Sequence, residues 1–532
     1  MADTLLQEIS QATIQSNTES FKQSEQRLLK FIAETNKQNK EIRIWLPASS
    51  NFGNQSSSVN IMYRLASKGV QAIRLVYFNG DEQVGSNWEK LRILILGLPE
   101  KPPAAGYPLP GTNTTLFFSD VTNDLDSGNW NMPYTTPLGI TGGWDNEIIQ
   151  ILDAMDIIDF CCLQPFLWRA HQENSNLLYI TCIDESTEQD QETYFFPKEY
   201  RIPNRAYYIP NPTLTPYDRQ TFEKVNPRKF GAVTTIEALV DEGKTRLVTV
   251  YVSEKRVGDL YEILFNLILG IIYYQKKHVQ KVLIALPMNP LPGTMDALQY
   301  LLNGFVVTKR KIEGKNYQIV TREKDAFKNR YNYLQSKGYY EIFQRVTILK
   351  EEDTTGENIT KAINNPAYQI VLANIGNVPK VVFDYLFSLN NLTSVFEGMG
   401  TATLAVNLGK PFIRVLGGND LTNLYRQDLD DPSNTEFGKD GAHIAEITSQ
   451  KQILWNQALG SSNPPNTSNP DEVIGDFLLN ANNPDDGKKE GDNWYKFFKN
   501  QRKFFHDEEN DKLMQALNYW ASTRYADYDT LN

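Results

Sequence analysis

A strand, a polar loop, a helix and a second strand follow one another early in the chain as EIRIWLP, ASSNFGNQSSS, VNIMYRLASKG and VQAIRLVYF. Two apolar runs of strand length separated by a helix cannot close as a hairpin, so they predict a βαβ unit with parallel strands. Ser56, Ser57 or Ser58 is expected to cap the helix and Gly69 to end it. The polar loop then sits at the carboxyl end of a strand, where helix N-termini and strand ends converge on ligands in open α/β sheets.

The alternation restarts in the second half. TRLVTVYVS reads as a strand, GDLYEILFNLILGIIYYQKK as a helix, and QKVLIALP, YQIVLANIG and TSVFEG as strands. With about 150 residues per unit as a guide, 532 residues exceed one core, which predicts two α/β lobes and a tail. Residues 1–40 read as a helical lead-in, 41–225 and 226–457 as the two lobes, and 458–532 as a linker with C-terminal helices. Residues 101 to 145, rich in Pro, Gly, Thr and Asn, read as a long excursion carrying one strand, TTLFFSD.

Composition removes several function classes. Hydrophobic residues at 41% and charged residues at 22% are ordinary for a soluble globular chain. A net charge of −11 without a Lys/Arg block argues against nucleic acid or an anionic membrane as the main partner. Three cysteines without a CxxC pair and four scattered histidines offer no zinc spacing, so no metal is expected. The apolar run Leu260 to Tyr274 carries Glu262 and Asn266 and falls short of the ~20 residues of a membrane span. The N-terminus has neither basic nor apolar signal regions, which points to the cytoplasm and leaves export without a signal open.

The segment VFEGMGTATLAVNLGKPFI, Val395 to Ile413, concentrates the chemistry. TSVFEG is a strand ending at a glycine, ATLAVNLG has helical spacing, and G-M-G-T lies between them. Gly398 and Gly400 allow close backbone approach around Met399, and Thr401 offers a hydroxyl. A diphosphate there would meet backbone N–H groups and the positive end of the helix dipole. The ligand-free alternative is a tight strand-to-helix turn. Beyond it PFIRV supplies another strand, and GGND sets Asp420 at that strand's carboxyl end.

These residues resemble the nucleotide-sugar lobe of GT-B glycosyltransferases, whose run H-C-G-W-N-S-x-x-E-A-x-x-x-G-x-P is matched by Gly398, Thr401, Ala405, Gly409 and Pro411. Phe396 and Leu404 stand in place of that pattern's His and Glu. A narrower similarity is to the elongation-factor-P arginine rhamnosyltransferases, with their F-V-R-G-E-D-S-x-x-R-A-x-x-x-G-K-P-F segment. Their loop D-N-Y-G-D-I-G-V-x-W-R-L-A is similar to SNFGNQSSSVNIMYRLA, and their S-L-F-C-Y-E strand to TVYVSE.

The resemblance implies a GT-B fold: two Rossmann-like, doubly wound α/β lobes facing a central cleft, with a helical C-terminal tail. The first lobe would be the acceptor side and the second the nucleotide-sugar side. It implies a donor site of Tyr251, Ser253, Phe383, Glu397, Gly398, Met399, Gly400, Thr401 and Asp420, facing a loop of Ser50, Asn51, Gly53, Asn54 and Gln55. The donor would be a nucleotide-diphosphate sugar and the acceptor a protein, with no separate cofactor.

Ser50 and Asn54 stand where that family has two catalytic aspartates. Neither is a base near neutral pH. Asp81 and Asp120, each after a strand, are therefore the candidate bases, with Asn54 as an orienting group. Three readings stay open: a glycosyltransferase, an inert relative that binds a nucleotide sugar or a protein, and a nucleotide-sugar epimerase.

Overall fold

The computed structural model describes residues 25–46, 48, 52–79, 86–123, 136–141, 157–162, 177–179, 208–252, 260–312, 315–321, 331–415, 458–459 and 469–483, with isolated positions between 494 and 521. The chain divides into two compact units: Met1–Tyr208 with Asp507–Asn532, and Ile209–His506. The division falls before the stretch 210–225, so that stretch groups with the second unit, and the last 26 residues return to the first.

The first unit opens with helix α1 (residues 25–37). There follow β1 (Ile42–Leu46), α2 (Gly53–Ser67), β2 (Ala72–Tyr77), α3 (Asn87–Leu94), β3 (Tyr107–Pro108) and β4 (Thr115–Asp120). Then come β5 (Thr136–Thr141), β6 (Ile157–Cys162) and β7 (Leu177–Tyr179). They form one seven-stranded sheet in the order β3-β4-β2-β1-β5-β6-β7. All pairings are parallel except β3 with β4.

Two expectations change here. The helix of the first βαβ unit starts at Gly53, not after the serines: Ser56 N–H donates to Phe52 C=O at 2.8 Å, so the serines lie inside α2. Ser58 is fully buried, and Phe52 at the N-cap makes no side-chain capping bond. Gly69 does end the helix region, at φ 93°. Second, TPLGIT, assigned to the excursion, is β5, paired with β1 in the middle of the sheet. Its Pro and Gly hid a strand whose side chains are nearly all buried.

The second unit begins with α4 (Pro216–Val225), closed by a Thr215–Asp218 capping box, and α5 (Pro227–Asp241). Then follow β8 (Arg246–Tyr251), α6 (Leu260–Gln275), β9 (Val282–Leu286), α7 (Thr294–Leu302) and the antiparallel ribbon β10 (Val306–Ile312) and β11 (Lys315–Thr321). The remainder is β12 (Val346–Leu349), α8 (Gly356–Asn364), β13 (Ile370–Asn374), α9 (Lys380–Leu389), β14 (Thr393–Phe396), α10 (Met399–Leu408), β15 (Phe412–Arg414) and α11 (Pro470–Ala481). Apart from the ribbon, the strands form a six-stranded parallel sheet, β12-β13-β9-β8-β14-β15.

The central strands VLIAL and IVLAN are buried at every position, as a parallel sheet covered on both faces requires. α6 is buried almost all round because α11 crosses it closely. A Cβ at Gly270 would lie 2.3 Å from Ile474 Cγ2, and one at Gly475 2.2 Å from Tyr273 Cδ1. Two glycines thus let the helices touch backbone to side chain.

Ranked by chain order, the two sheets share one pattern. In each, the first strand is followed by its neighbour on one side, the chain continues outward there, and it then returns to the other side of the first strand. Right-handed crossovers in opposite directions place their helices on opposite faces, so both sheets are doubly wound. No helix among the described residues is long and apolar enough to cross a membrane.

Candidate functional site

In such sheets the strand order reverses at one place, and the crevice outside the carboxyl ends of the strands there is the ordinary ligand position. In the second unit the reversal lies between β8 and β14. Phe396 is in register with Tyr251, and Glu397 N–H donates to Tyr251 C=O at 2.9 Å. Tyr251, Glu397 and Gly398 therefore meet at the switch point.

Gly398 is the N-cap of α10, with φ 98° and ψ 148°, a region essentially closed to residues with a Cβ. Gly398 has no side chain with which to cap the helix. α10 starts at Met399, so Gly400 and Thr401, expected before the helix, form its first turn. Their N–H groups precede the intrahelical ladder, and the first bond of that ladder runs from Ala402 N–H to Gly398 C=O at 3.1 Å. Among the described residues, none has an atom within 4 Å of a Cβ added at Gly398 or at Gly400. Thr401 is buried. At the other end Gly409, φ 59°, terminates α10 as expected from the sequence.

The Phe383 ring of α9 stands edge-on to Tyr251, with centroids 4.9 Å apart and an interplanar angle of 79°. Phe383 packs in turn on Phe387, which contacts Phe396 of β14, so the core fixes the ring pair. Both Tyr251 and Phe383 remain half-buried, leaving aromatic surface at the sheet edge. Glu397 is buried beside them. Farther along the same edge, Asn289 and Asn377 exchange backbone-to-side-chain hydrogen bonds of 3.1 and 2.9 Å. Lys229 Nζ donates to Asn377 C=O at 2.7 Å, holding that loop to α5.

The sequence reading missed one pair. Lys380 and Asp384 of α9 form an ion pair one helical turn apart, with side chains only 12% and 15% exposed. The signal was present in KVVFDYLF, where a cation and a carboxylate four apart flank Phe383.

In the first unit the reversal lies between β1 and β5. Thr141 Oγ1 donates to Trp45 C=O at 3.2 Å across it. Gly53 and Asn54 occupy the first turn of α2, the helix that follows β1. Gln55 is fully buried, and its Nε2 donates to Asn87 Oδ1 at 2.9 Å. Asn87 in turn donates to Phe78 C=O at 2.7 Å, so Asn87 holds the start of α3 to the end of β2 and Gln55 ties both to α2. Asp120 ends β4, two strands from β1. Its oxygens accept from Asn79 Nδ2 at 2.9 Å, from Thr122 N–H at 3.0 Å and from the Thr122 hydroxyl, which closes a local turn.

The structure thus brings Tyr251, Phe383, Glu397, Gly398, Met399, Gly400 and Thr401 to one sheet edge, and Gly53 and Asn54 to the corresponding edge of the other unit. Ser50, Asn51, Asp81, Ser253 and Asp420 lie outside the described residues. Among the described residues no group of three or more His, Cys, Asp or Glu side chains is arranged to hold a metal ion.

No protein-family model matches the chain, and no curated protein matches it. Solved structures similar to it include a glycosyl transferase family 9 protein from Veillonella parvula, 10% identical, TM-score 0.32, covering 72% of this chain and 82% of that one. A UDP-GlcNAc 2-epimerase from Methanocaldococcus jannaschii is 12% identical, TM-score 0.30, covering 82% and 99%. An α,α-trehalose-phosphate synthase from Burkholderia vietnamiensis is 10% identical, TM-score 0.30, covering 92% and 99%. The fold rests on the strand pairing described above.

Proposed function

We propose that this chain is a GT-B glycosyltransferase that binds a nucleotide-diphosphate sugar at the switch point of its second unit and passes the sugar to an acceptor, a protein side chain. The observation that carries the reading is Gly398: a backbone conformation reserved for glycine, at the strand-order reversal and at the N-terminus of α10, with no described residue within 4 Å of an added Cβ. Backbone N–H groups of the first turn and the helix dipole suit a diphosphate. When the sugar–phosphate bond breaks, negative charge grows on the diphosphate, and the same groups would stabilise it without a metal.

The acceptor class and the kinship to the arginine rhamnosyltransferases rest on the sequence motifs alone. One observation favours a second reading, an inert nucleotide-sugar-binding relative: Ser50 and Asn54 replace carboxylates, and Asp120 is engaged in its own turn. The two part under one experiment. The purified chain is incubated with a panel of nucleotide sugars and protein acceptors, and nucleotide diphosphate release and thermal shift are followed together. Acceptor-dependent release supports transfer, stabilisation without release supports the inert reading, and isomerised sugar supports an epimerase.

A further inference from the structure

A group of cations stands at the far end of α10 from Gly398, about 15 Å away at a rise of about 1.5 Å per residue. Phe498, Lys499 and Arg502 are helical and lie over this end. Phe498 packs on Phe412 with ring centroids 5.2 Å apart, and a Cβ at Gly409 would collide with the Arg502 stem. Lys499 and Arg502, three apart on one helical face, therefore stand beside Lys410, the residue after Gly409. Burial first, and then these two cations, push the Lys410 ammonium down to about 8.

Part of this charge has a structural use. Lys410 Nζ donates to Ser388 C=O in the last turn of α9. Arg502 Nη1 donates at 3.3 Å to the C=O of Leu408, the last residue of α10, and its Nη2 to Asn211 Oδ1 at 2.9 Å. A helix C-terminus carries about half a negative charge, so the two ends offset roughly one of the three positive charges. Among the described residues no Asp or Glu pairs with any of the three. Donors remain as well: Lys410 uses one of its three and Arg502 two of its five. Lys499 is exposed and faces only the Tyr495 ring, 5.5 Å from its centroid.

An excess of about two positive charges with ammonium and guanidinium donors to spare is matched by a doubly charged oxyanion. A guanidinium fits the planar spread of phosphate oxygens, and ammoniums add point charge around it. Lys499 is exposed and Lys410 and Arg502 are half-buried, so the group is open to solvent on one side. We propose that Lys410, Lys499 and Arg502 form a binding site for a phosphate group, free or carried on a sugar phosphate, separate from the donor turn at the other end of α10.

The full chain and its variants Lys499→Gln, Arg502→Gln and Gly400→Val are titrated by calorimetry with inorganic phosphate and with glucose 6-phosphate, at an ionic strength held constant with sodium chloride. Wild type is expected to bind at least one of them with a Kd of about 1 mM or tighter, and the tighter of the two identifies the free or the carried phosphate. Arg502→Gln weakens that binding about tenfold or more, as the loss of a charge-assisted contact requires. Lys499, which holds no helix end, serves where Arg502→Gln disturbs folding: Lys499→Gln weakens binding about threefold or more with an unchanged unfolding curve. Gly400→Val, at the donor turn, stays within about twofold of wild type. Absence of binding by wild type, binding that Lys499→Gln and Arg502→Gln leave unchanged, or binding lost only in Gly400→Val overturns the site.

Discussion

Gly400→Val separates binding from stability at a single position. Gly400 lies in the first turn of α10, its backbone is not in the left-handed region, and no atom of the described residues lies within 4 Å of an added Cβ. Valine is no worse than glycine within a helix, so the substitution changes folding stability by about 0.5 kcal/mol or less. The same branched side chain stands beside the N–H groups of the first turn and crowds a diphosphate bound to them. A diphosphate displaced from one charge-assisted hydrogen bond loses ~1.5–3 kcal/mol. At about 1.4 kcal/mol per decade, this amounts to a roughly tenfold to hundredfold rise in Kd. Calorimetric titration with the nucleotide sugar that wild type prefers reads the affinity, and chemical denaturation reads the stability. A variant that keeps wild-type stability and binds within about twofold of wild type refutes the phosphate turn.

Other substitutions report on the frame around it. Gly398→Ala forces a Cβ into the φ 98°, ψ 148° region and costs about 1–3 kcal/mol by denaturation, although space for the methyl exists. Glu41 accepts from Arg43 Nε at 2.8 Å and from Arg74 Nε at 2.7 Å in a buried cluster just before β1. Glu41→Ala leaves buried guanidinium charge without its carboxylate and destabilises the first unit by about 3–5 kcal/mol, with nucleotide affinity unchanged. Burial, with Lys499 and Arg502 nearby, pushes the Lys410 ammonium down to about 8. Between about pH 8 and 10 the unfolded chain holds a proton that the folded chain has released. Wild-type stability therefore rises across that window relative to Lys410→Met, and parallel pH profiles of the two contradict the assignment.

Much of the second unit was legible because β8, β9, β13 and β14 are short apolar runs bounded by turn residues, as strands buried on both faces must be. The first unit was less so. TPLGIT looks like a loop because it carries a Pro and a Gly within a Pro- and Gly-rich stretch, yet in the sheet its neighbours, not its propensity, decide. The serines after Gly53 look like caps, but tertiary burial draws them into α2. At the site, the glycine turn was visible because only glycine reaches the backbone of Gly398, whereas the start of α10 was misplaced by three residues. The burial of the Lys380–Asp384 pair was not legible, because its spacing is that of any solvated helix face.

The most direct test of donor binding is the amide signal of Gly400 itself. Selective 15N-glycine labelling of the full chain gives one cross-peak per observable glycine, and Gly400→Ala assigns the one that matters. On titration with the nucleotide sugar that stabilises the protein most, the Gly400 and Gly398 amides are expected to shift in proportion to occupancy. Saturating ligand that moves other glycine signals and leaves these two in place would contradict the account.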